Sequence, residues 1–173
     1  TVIEISIIRA NASKLPSQAK DRVLLNTLAR LPIHDLFRGY VTADAMRIHG
    51  ISSEETWQAP EWPDVWPEAR RIIENASRVV TWNTEFDLRM LRQTCAAHGI
   101  DYDDVLNEHV EQDGNRRSRR DPTKFECAMR QYAAIVGELH HSGEYKYQRL
   151  GGAHRALSDC RAVLSKLRAM AKR

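Results

Sequence analysis

Residues 78–91, RVVTWNTEFDLRML, carry the clearest indication of the fold class. The first five residues form a short β-branched run that predicts a strand. Asn83 and Thr84 interrupt this run, and apolar residues then recur at helical spacing from about Glu85 until Gly99, which is typical of a helix end. A strand that passes through a tight turn into a helix is typical of α/β proteins.

The same stretch places a carboxylate, Asp87, between Phe86 and Leu88. A partly buried acid needs a partner, which could be a backbone amide, a basic side chain or a metal ion. Thr84 and Asp87 have the spacing of a capping box, and the helix dipole favours an acid in the first turn. The residues alone therefore favour a helix cap, with metal binding as the alternative.

The segments before this stretch continue the α/β pattern. Two β-branched runs, at 1–8 and 22–30, predict neighbouring antiparallel strands. Residues 42–51 predict a short helix closed by glycine, and Ser52 or Ser53 begins a capping signature for the next segment. A longer helix is expected from Pro67 onward, because proline is tolerated at a helix start.

The segments after the stretch are a loop and two helices. Residues 101–124 are polar, acidic and then basic, which predicts a loop. Apolar residues recur at helical spacing from Phe125 to Ile135, with Gly137 near the predicted helix end. The last segment, 153–170, predicts a long amphipathic helix.

Composition is that of a globular protein. The 173 residues include 42% hydrophobic and 28% charged residues, which fits one domain with its own core. The three cysteines are far apart and lack a CxxC spacing, which argues against a disulfide framework and a zinc knuckle. No apolar segment has the length of a membrane helix and no signal peptide is visible, so we expect a soluble cytoplasmic protein that contacts no membrane.

The net charge of +3 does not indicate nucleic-acid binding by itself. Two segments are locally basic, residues 115–124 and the C-terminal KLRAMAKR. Each is equally compatible with a phosphate-binding surface and with an ordinary solvated loop or helix end.

Two further ionisable residues precede and begin the last helix. His154 and Asp159 are five residues apart and would diverge by about 140° on an ideal helix. Both can face one site only if His154 precedes the regular helix, as Gly151 and Gly152 allow. Each residue alone is equally well explained as a solvated helix residue or a helix start; together with Asp87 they fit a site for a hard divalent cation with a nearby proton acceptor.

These motifs resemble those of the DEDDh family of 3'-5' exonucleases, the DnaQ-like group. NTEFDLRML (83–91) is similar to the second motif of that family, and HRALSD (154–159) to the third, a His and an Asp separated by four residues. Four further segments match in the same order along the chain: IEISII, RVLLNTLARLPI, RIHGISSEE and FECAMRQYA. The resemblance therefore covers nearly the whole chain.

The resemblance implies an RNase H-like fold, a mixed sheet flanked by helices. It implies that Asp87 and Asp159 bind two divalent ions, Mg or Mn, and that His154 acts as the general base. It implies substrate-side roles for four residues, Asn83, Phe86, His49 and Arg155. Asn83 is equally well explained as a helix N-cap, Phe86 as a core residue and His49 as a structural turn residue.

One element of the family pattern is missing. The family carries an Asp-x-Glu pair on a first strand, ahead of the strand that IEISII resembles, whereas this chain offers only Val2 and Glu4 in the nearest register. Truncation or disorder, a catalytically dead relative, or acids from another chain would each explain this. Because the other motifs are intact, we favour a single exonuclease domain over 1–173 that is N-terminally incomplete. A helix and loop usual in the family are also missing beside Gly151 and Gly152.

The sequence thus predicts a metal-dependent enzyme that removes nucleotides from the 3' ends of single-stranded DNA or RNA, with a possible polymerase or repair partner. The alternative is a catalytically inactive nucleic-acid-binding or polymerase-associated module of the same fold. Tyr145 and Tyr147 could stack on a base, as could Trp82, for which core packing is the favoured interpretation.

Overall fold

The computed structural model describes residues 2–11, 21–30, 43–102 and 124–172. These ranges contain four strands and six helices: β1 Glu4–Arg9, β2 Arg22–Leu28, α1 Ala43–His49, α2 Ser53–Gln58, α3 Trp62–Asn75, β3 Val79–Thr81, α4 Thr84–Ala97, β4 Phe125–Cys127, α5 Ala128–Val136 and α6 Ala156–Met170. They confirm a mixed α/β architecture. None of these helices has both the length and the apolar character that a membrane crossing requires. Most of the predicted loop at 101–124, with nearly all of its basic part, lies outside the described residues.

The described strands form two small sheets. β1 and β2 are antiparallel neighbours, as predicted, with Glu4 opposite Leu28 and a register shift between Ile7 and Ile8. β3 and β4 are parallel, with Val79 opposite Phe125. Within the described ranges these two pairs are not joined by hydrogen bonds into the single mixed sheet that was expected.

The sequence predicts a helix from Phe125, but the helix in the structure begins three residues later. Phe125–Cys127 is the strand β4, and α5 begins only at Ala128. The backbone N–H of Val79 donates to the carbonyl of Lys124 at 2.7 Å, which starts the pairing with β3. The spacing of the apolar residues could not predict this strand, because three residues are too few to show the two-residue period of a β-strand.

The long helix α3 begins at Trp62, five residues before the predicted start at Pro67. Pro63 lies in the first turn, where no hydrogen bond is lost, whereas Pro67 lies inside the helix and removes one. Trp62 and Trp66, one helical turn apart, stack at a ring-centroid distance of 5.6 Å and are both buried. Burial of two tryptophans therefore stabilises the turn that Pro67 weakens.

A single core joins the two sheets. Its buried centre consists of Trp62, Trp66 and their neighbours, with Cys95 of α4 accepting a hydrogen bond from the Trp62 indole at 3.3 Å. Partly buried side chains of both sheets pack against this centre, including Ile5 of β1 and Val79 of β3. The strands β1 and β3 and the helix α4 are thereby held in one region of the molecule, and α6 packs on β1.

Candidate active site

The start of α4 is fixed by Asn83. Its side-chain oxygen accepts a hydrogen bond from the backbone N–H of Phe86 at 3.4 Å, so the N-cap interpretation of Asn83 is confirmed. The capping box predicted for Thr84 and Asp87 is wrong, because Thr84 is already the first helical residue and its hydroxyl contacts that of Thr81. Asp87 nevertheless lies in the first turn of α4, and its carboxyl accepts a hydrogen bond from the Asn83 backbone N–H, so the predicted helix-cap role of Asp87 is confirmed in part.

Phe86 does not pack inward as expected. Its side chain is 47% exposed, and the guanidinium of Arg89 lies over its ring at 5.5 Å. Successive helical residues point about 100° apart, so Phe86 faces outward on the helix that turns Asp87 inward.

Asp87 is a half-buried acid whose partners are neutral. Loss of water contact raises the pKa of its carboxyl group, while hydrogen bonds from the Thr81 hydroxyl and the Asn83 backbone N–H act in the opposite direction. Of the three partners considered from the sequence, the structure shows the backbone amide. It also shows a second partner, the Thr81 hydroxyl, that the sequence did not suggest. Desolvation outweighs both bonds, which leaves the carboxylate suited to a cation.

His154 precedes the regular helix, as the shared site requires. Helix α6 begins at Ala156, and His154 is exposed with a positive φ of 57°, which is uncommon for a residue other than glycine. Gly151, with a φ of 80°, turns the chain three residues earlier. The backbone of His154 is therefore set by this bend and not by the regular α6 helix.

Asp159 lies in the first turn of α6 against this bend. Its Oδ1 atom is buried and has no hydrogen-bond partner among the described residues. A Cβ added to Gly152 would stand 1.8 Å from that oxygen. Any Cβ at position 152 would require the Asp159 side chain to move, so the glycine permits this close approach.

Glu4 of β1 anchors the same bend. Its carboxylate accepts a hydrogen bond from the Ala156 backbone N–H at 2.8 Å and binds the Arg155 guanidinium at 3.1 Å. The hydrogen bond to Glu4 and, to a smaller extent, the charge of Glu55 in α2 raise the pKa of Arg155. Arg155, expected on the substrate side, thus connects β1 to the start of α6.

Sequence reasoning did not assign this anchoring role to Glu4. Its side chain is only 10% exposed, although it is charged. The available signal was a lone acid inside the apolar strand TVIEISII, where a buried charge requires a partner.

The thiol of Cys160 lies within electrostatic reach of three acids. It donates to the Ser6 carbonyl at 3.3 Å, which seats α6 on β1. Burial, and then the negative charges of Asp159, Asp87 and Glu4, raise the pKa of this thiol to about 11. Three elements, β1, α4 and α6, therefore bring one carboxylate each to the surroundings of a single side chain.

These carboxylates suit a hard divalent cation, which prefers oxygen ligands from several elements. Asp87 is desolvated and Asp159 has an unpartnered buried oxygen, so both fit as ligands, while Glu4 is occupied by Arg155. In the described part of the chain, no three His, Cys, Asp or Glu side chains form a ready metal-binding group. Further ligands are therefore needed for a complete site.

His49 is the last residue of α1, directly before the turn to α2. Its Nδ1 atom accepts a hydrogen bond from the Ile51 backbone N–H at 3.0 Å, after Gly50 with a φ of 68°. This hydrogen bond supports a structural role for His49 in the turn, which was one of the two roles suggested by the sequence.

Comparison with known proteins bears on this arrangement. The sequence model of the RNase_T family, described as Exonuclease, matches residues 35–167. A protein of Escherichia phage 186, named Uncharacterized exonuclease CP81, is 30% identical over 165 residues, which cover 87% of this chain and 74% of that protein. No solved structure matches the chain significantly.

Proposed function

The chain belongs to the RNase_T exonuclease family, and from this premise we propose that it removes nucleotides from the 3' ends of single-stranded DNA or RNA with the help of divalent metal ions. Membership in the family makes nucleic acid the substrate and hydrolysis the reaction. The direction of cleavage, the metal and the catalytic residues are our proposal.

One observation carries the proposal: the buried Oδ1 atom of Asp159, in the first turn of α6, has no hydrogen-bond partner among the described residues. Asp87, distant in sequence, contributes with Asp159 to the raised pKa of the Cys160 thiol, which places both acids in the surroundings of that side chain. The unpartnered Oδ1 atom of Asp159 and the desolvated carboxyl of Asp87 support a cation.

The residues have distinct roles in the proposed reaction. Asp87 and Asp159 hold divalent ions, Mg or Mn, which when bound stabilise the charge of the scissile phosphate and of the leaving 3' oxygen. His154, exposed at the bend before α6, accepts the proton of the attacking water. Glu4 and Arg155 are positioning residues, since their ion pair fixes the bend that carries His154.

We propose that further acidic ligands complete the metal site beside Asp87 and Asp159, because the described residues contain no group of three metal-binding side chains. The Asp-x-Glu pair that the family resemblance implies is the candidate for these ligands. A variant in which an Asp-x-Glu strand is joined ahead of β1 should bind Mn²⁺ more tightly in calorimetric titration; equal affinity would contradict this part of the proposal.

The second candidate function is a nucleic-acid-binding module without catalysis. It is favoured by a specific observation, that the described residues contain no group of three metal-binding side chains. Cleavage requires a complete metal site, whereas binding of nucleic acid does not. The two functions therefore differ in one measurable property, the cleavage of a bound substrate.

A cleavage assay separates the two. Single-stranded DNA and RNA labelled at the 5' end are incubated with the protein and Mn²⁺, with and without a chelator. A 3'-5' exonuclease gives a ladder of shortening labelled products, whereas an enzyme acting from the 5' end releases a labelled mononucleotide at once. Binding without cleavage, unchanged in Asp159→Ala and His154→Ala, would support the module.

Replacement of Gly152 by alanine should impair both stability and cleavage. The new Cβ would stand 1.8 Å from Oδ1 of Asp159 and 3.3 Å from its backbone Cα, which cannot rotate away. Overpacking of this kind costs about 1–3 kcal/mol, and displacement of a reacting group by about 1 Å can reduce the rate about 10²-fold. Thermal denaturation and the labelled-substrate assay measure the two effects.

Gly151→Ala is the matched control. The space around Gly151 is open, so alanine there meets only the backbone cost of a φ of 80°, about 1–2 kcal/mol. Its activity should fall much less than that of the Gly152 variant. A larger loss of activity in Gly151→Ala would show that the close approach to Asp159 is unimportant.

A further inference from the structure

A surface cleft lies between α5 and the segment that follows it and is not explained by the acids. Its volume is about 410 Å³, and it is lined by six residues, Arg130, His140, Gly143, Glu144, Tyr145 and Tyr147. This volume is within the range of small-ligand sites, about 300–1,000 Å³. We propose that the cleft binds a base of the single-stranded nucleic acid substrate, upstream of the nucleotide that is removed.

The cleft is built on a short hairpin over residues 138–147. Leu139 and Tyr145 form an antiparallel bridge, and the backbone N–H of Lys146 donates to the Glu138 carbonyl at 2.8 Å. Gly143, with a φ of 84°, closes the turn of the hairpin. The backbone thus holds the tyrosines in place before any ligand binds, which reduces the entropy lost on binding.

Both tyrosines are presented to solvent on one side of the hairpin. Tyr145 is 50% exposed and Tyr147 is 57% exposed, which is unusual for two aromatic residues so close together. Residues two apart in an extended segment point to the same face, so both rings line the cleft. Exposed aromatic faces are platforms on which nucleobases stack without regard to sequence.

The polar groups of the cleft suit a base better than a phosphate. Arg130 is bound to Glu85 at 2.7 Å, and Tyr147 adds a hydrogen bond that raises the pKa of the guanidinium along with the charge of Glu85. Glu144 places a further carboxylate in the lining, where it would repel a phosphate. The carboxylate and the His140 imidazole can instead bind donors and acceptors at the edge of a base.

The position of the cleft connects it to the acids. Glu85, which holds Arg130, precedes Asp87 by two residues in the first turn of α4. Through the Arg130–Glu85 ion pair the cleft therefore adjoins the same helical turn that carries Asp87. A strand whose 3' end lies at the acids can reach the cleft with a nearby upstream base. This inference rests on the proposed function for the identity of its ligand.

Fluorescence anisotropy of a 5'-labelled 20-nucleotide single-stranded DNA tests the inference, with a chelator present so that no cleavage occurs. Tyr145→Ala and Tyr147→Ala should each weaken binding about 5-fold or more, while the Phe variants should stay within about 2-fold, because stacking requires the ring. Trp57→Ala is the matched control: Trp57 is 54% exposed outside the cleft. Its removal should leave affinity unchanged.

Abasic sites placed one by one from the 3' end show whether a base is bound. Wild-type protein should lose affinity at one or two positions, and the alanine variants should lose nothing further there. Equal binding by wild type and both alanine variants, or no binding of any oligonucleotide, overturns the inference. Tyrosine-dependent binding by a protein that does not cleave with Mn²⁺ would keep this inference and reject the exonuclease.

Discussion

Asp87→Asn should abolish nuclease activity and at the same time raise the thermal stability of the protein at neutral pH. Asparagine keeps the shape of the side chain and can still accept a hydrogen bond from the Thr81 hydroxyl. It removes the negative charge that a divalent cation needs. Even outer-shell partners of metal ligands change affinity or activity about 10–100-fold, so we expect the loss for a direct ligand to exceed about 100-fold.

The stability effect follows from the pKa of Asp87. Burial raises this pKa above its ordinary value of 3.8, so the folded state binds a proton more tightly than the unfolded state. Stability therefore falls as pH rises from about 3.8 through the raised pKa, and the penalty is fully present above it. The Tm advantage of Asp87→Asn should be largest at neutral pH and vanish below the ordinary pKa.

Metal binding gives a readout that does not depend on activity. A ligand that binds only the folded state stabilises it, by about 2.7 kcal/mol at 100 times its Kd. Mn²⁺ should raise the Tm of wild-type protein and leave that of Asp87→Asn unchanged. Asp64→Asn is the matched control, since Asp64 is an exposed acid in the first turn of another helix, α3. An Asp87→Asn variant with near-normal cleavage would exclude Asp87 as a metal ligand.

His154→Asn should reduce the rate of cleavage about 10²–10⁴-fold without unfolding the protein. A positioned proton acceptor contributes about this factor. Asparagine is chosen because it tolerates a positive φ, and His154 has a φ of 57°. The substitution therefore removes the imidazole and leaves the backbone at the bend unstrained.

Two further variants separate the imidazole from the backbone. His154→Gly should lose as much activity as His154→Asn and be at least as stable, since glycine adopts this φ freely. His141→Ala, an exposed histidine at the tip of the 138–147 hairpin, should cleave at the wild-type rate. Retention of activity within threefold in His154→Asn, measured as initial rates with saturating substrate, would assign the proton transfer to another group.

Local sequence patterns predicted most of the elements whose hydrogen bonds join residues close together in the sequence, such as helices and their caps. The capping box of Ser52 and Glu55 is present in the structure, and α4 ends near Gly99 as predicted. The failures occurred where a distant segment decided the local conformation. Phe125–Cys127 is a strand because Val79–Thr81 lies beside it, and α3 extends back to Trp62 because two tryptophans reach the core.

The candidate site divides in the same way. Residue type and the order of the family-like motifs were enough to identify Asp87, His154 and Asp159. Both signals depend only on spacing along the chain. The anchoring role of Glu4 was missed, because its partners, Arg155 and Ala156, lie about 150 residues away in sequence and pair spacing gives no sign of them.

Local sequence is sufficient to predict the family, the strand and helix that carry Asp87, and the need for His154 to precede its helix. Three features become visible only when distant segments are packed together: Glu4 ties the bend before α6 to β1, Phe86 faces solvent, and Asp87 and Asp159 share the surroundings of Cys160. The physical reason is that periodicity and capping arise from neighbours within a few residues. Desolvation and the pairing of charges depend on which distant segments exclude water from the same place.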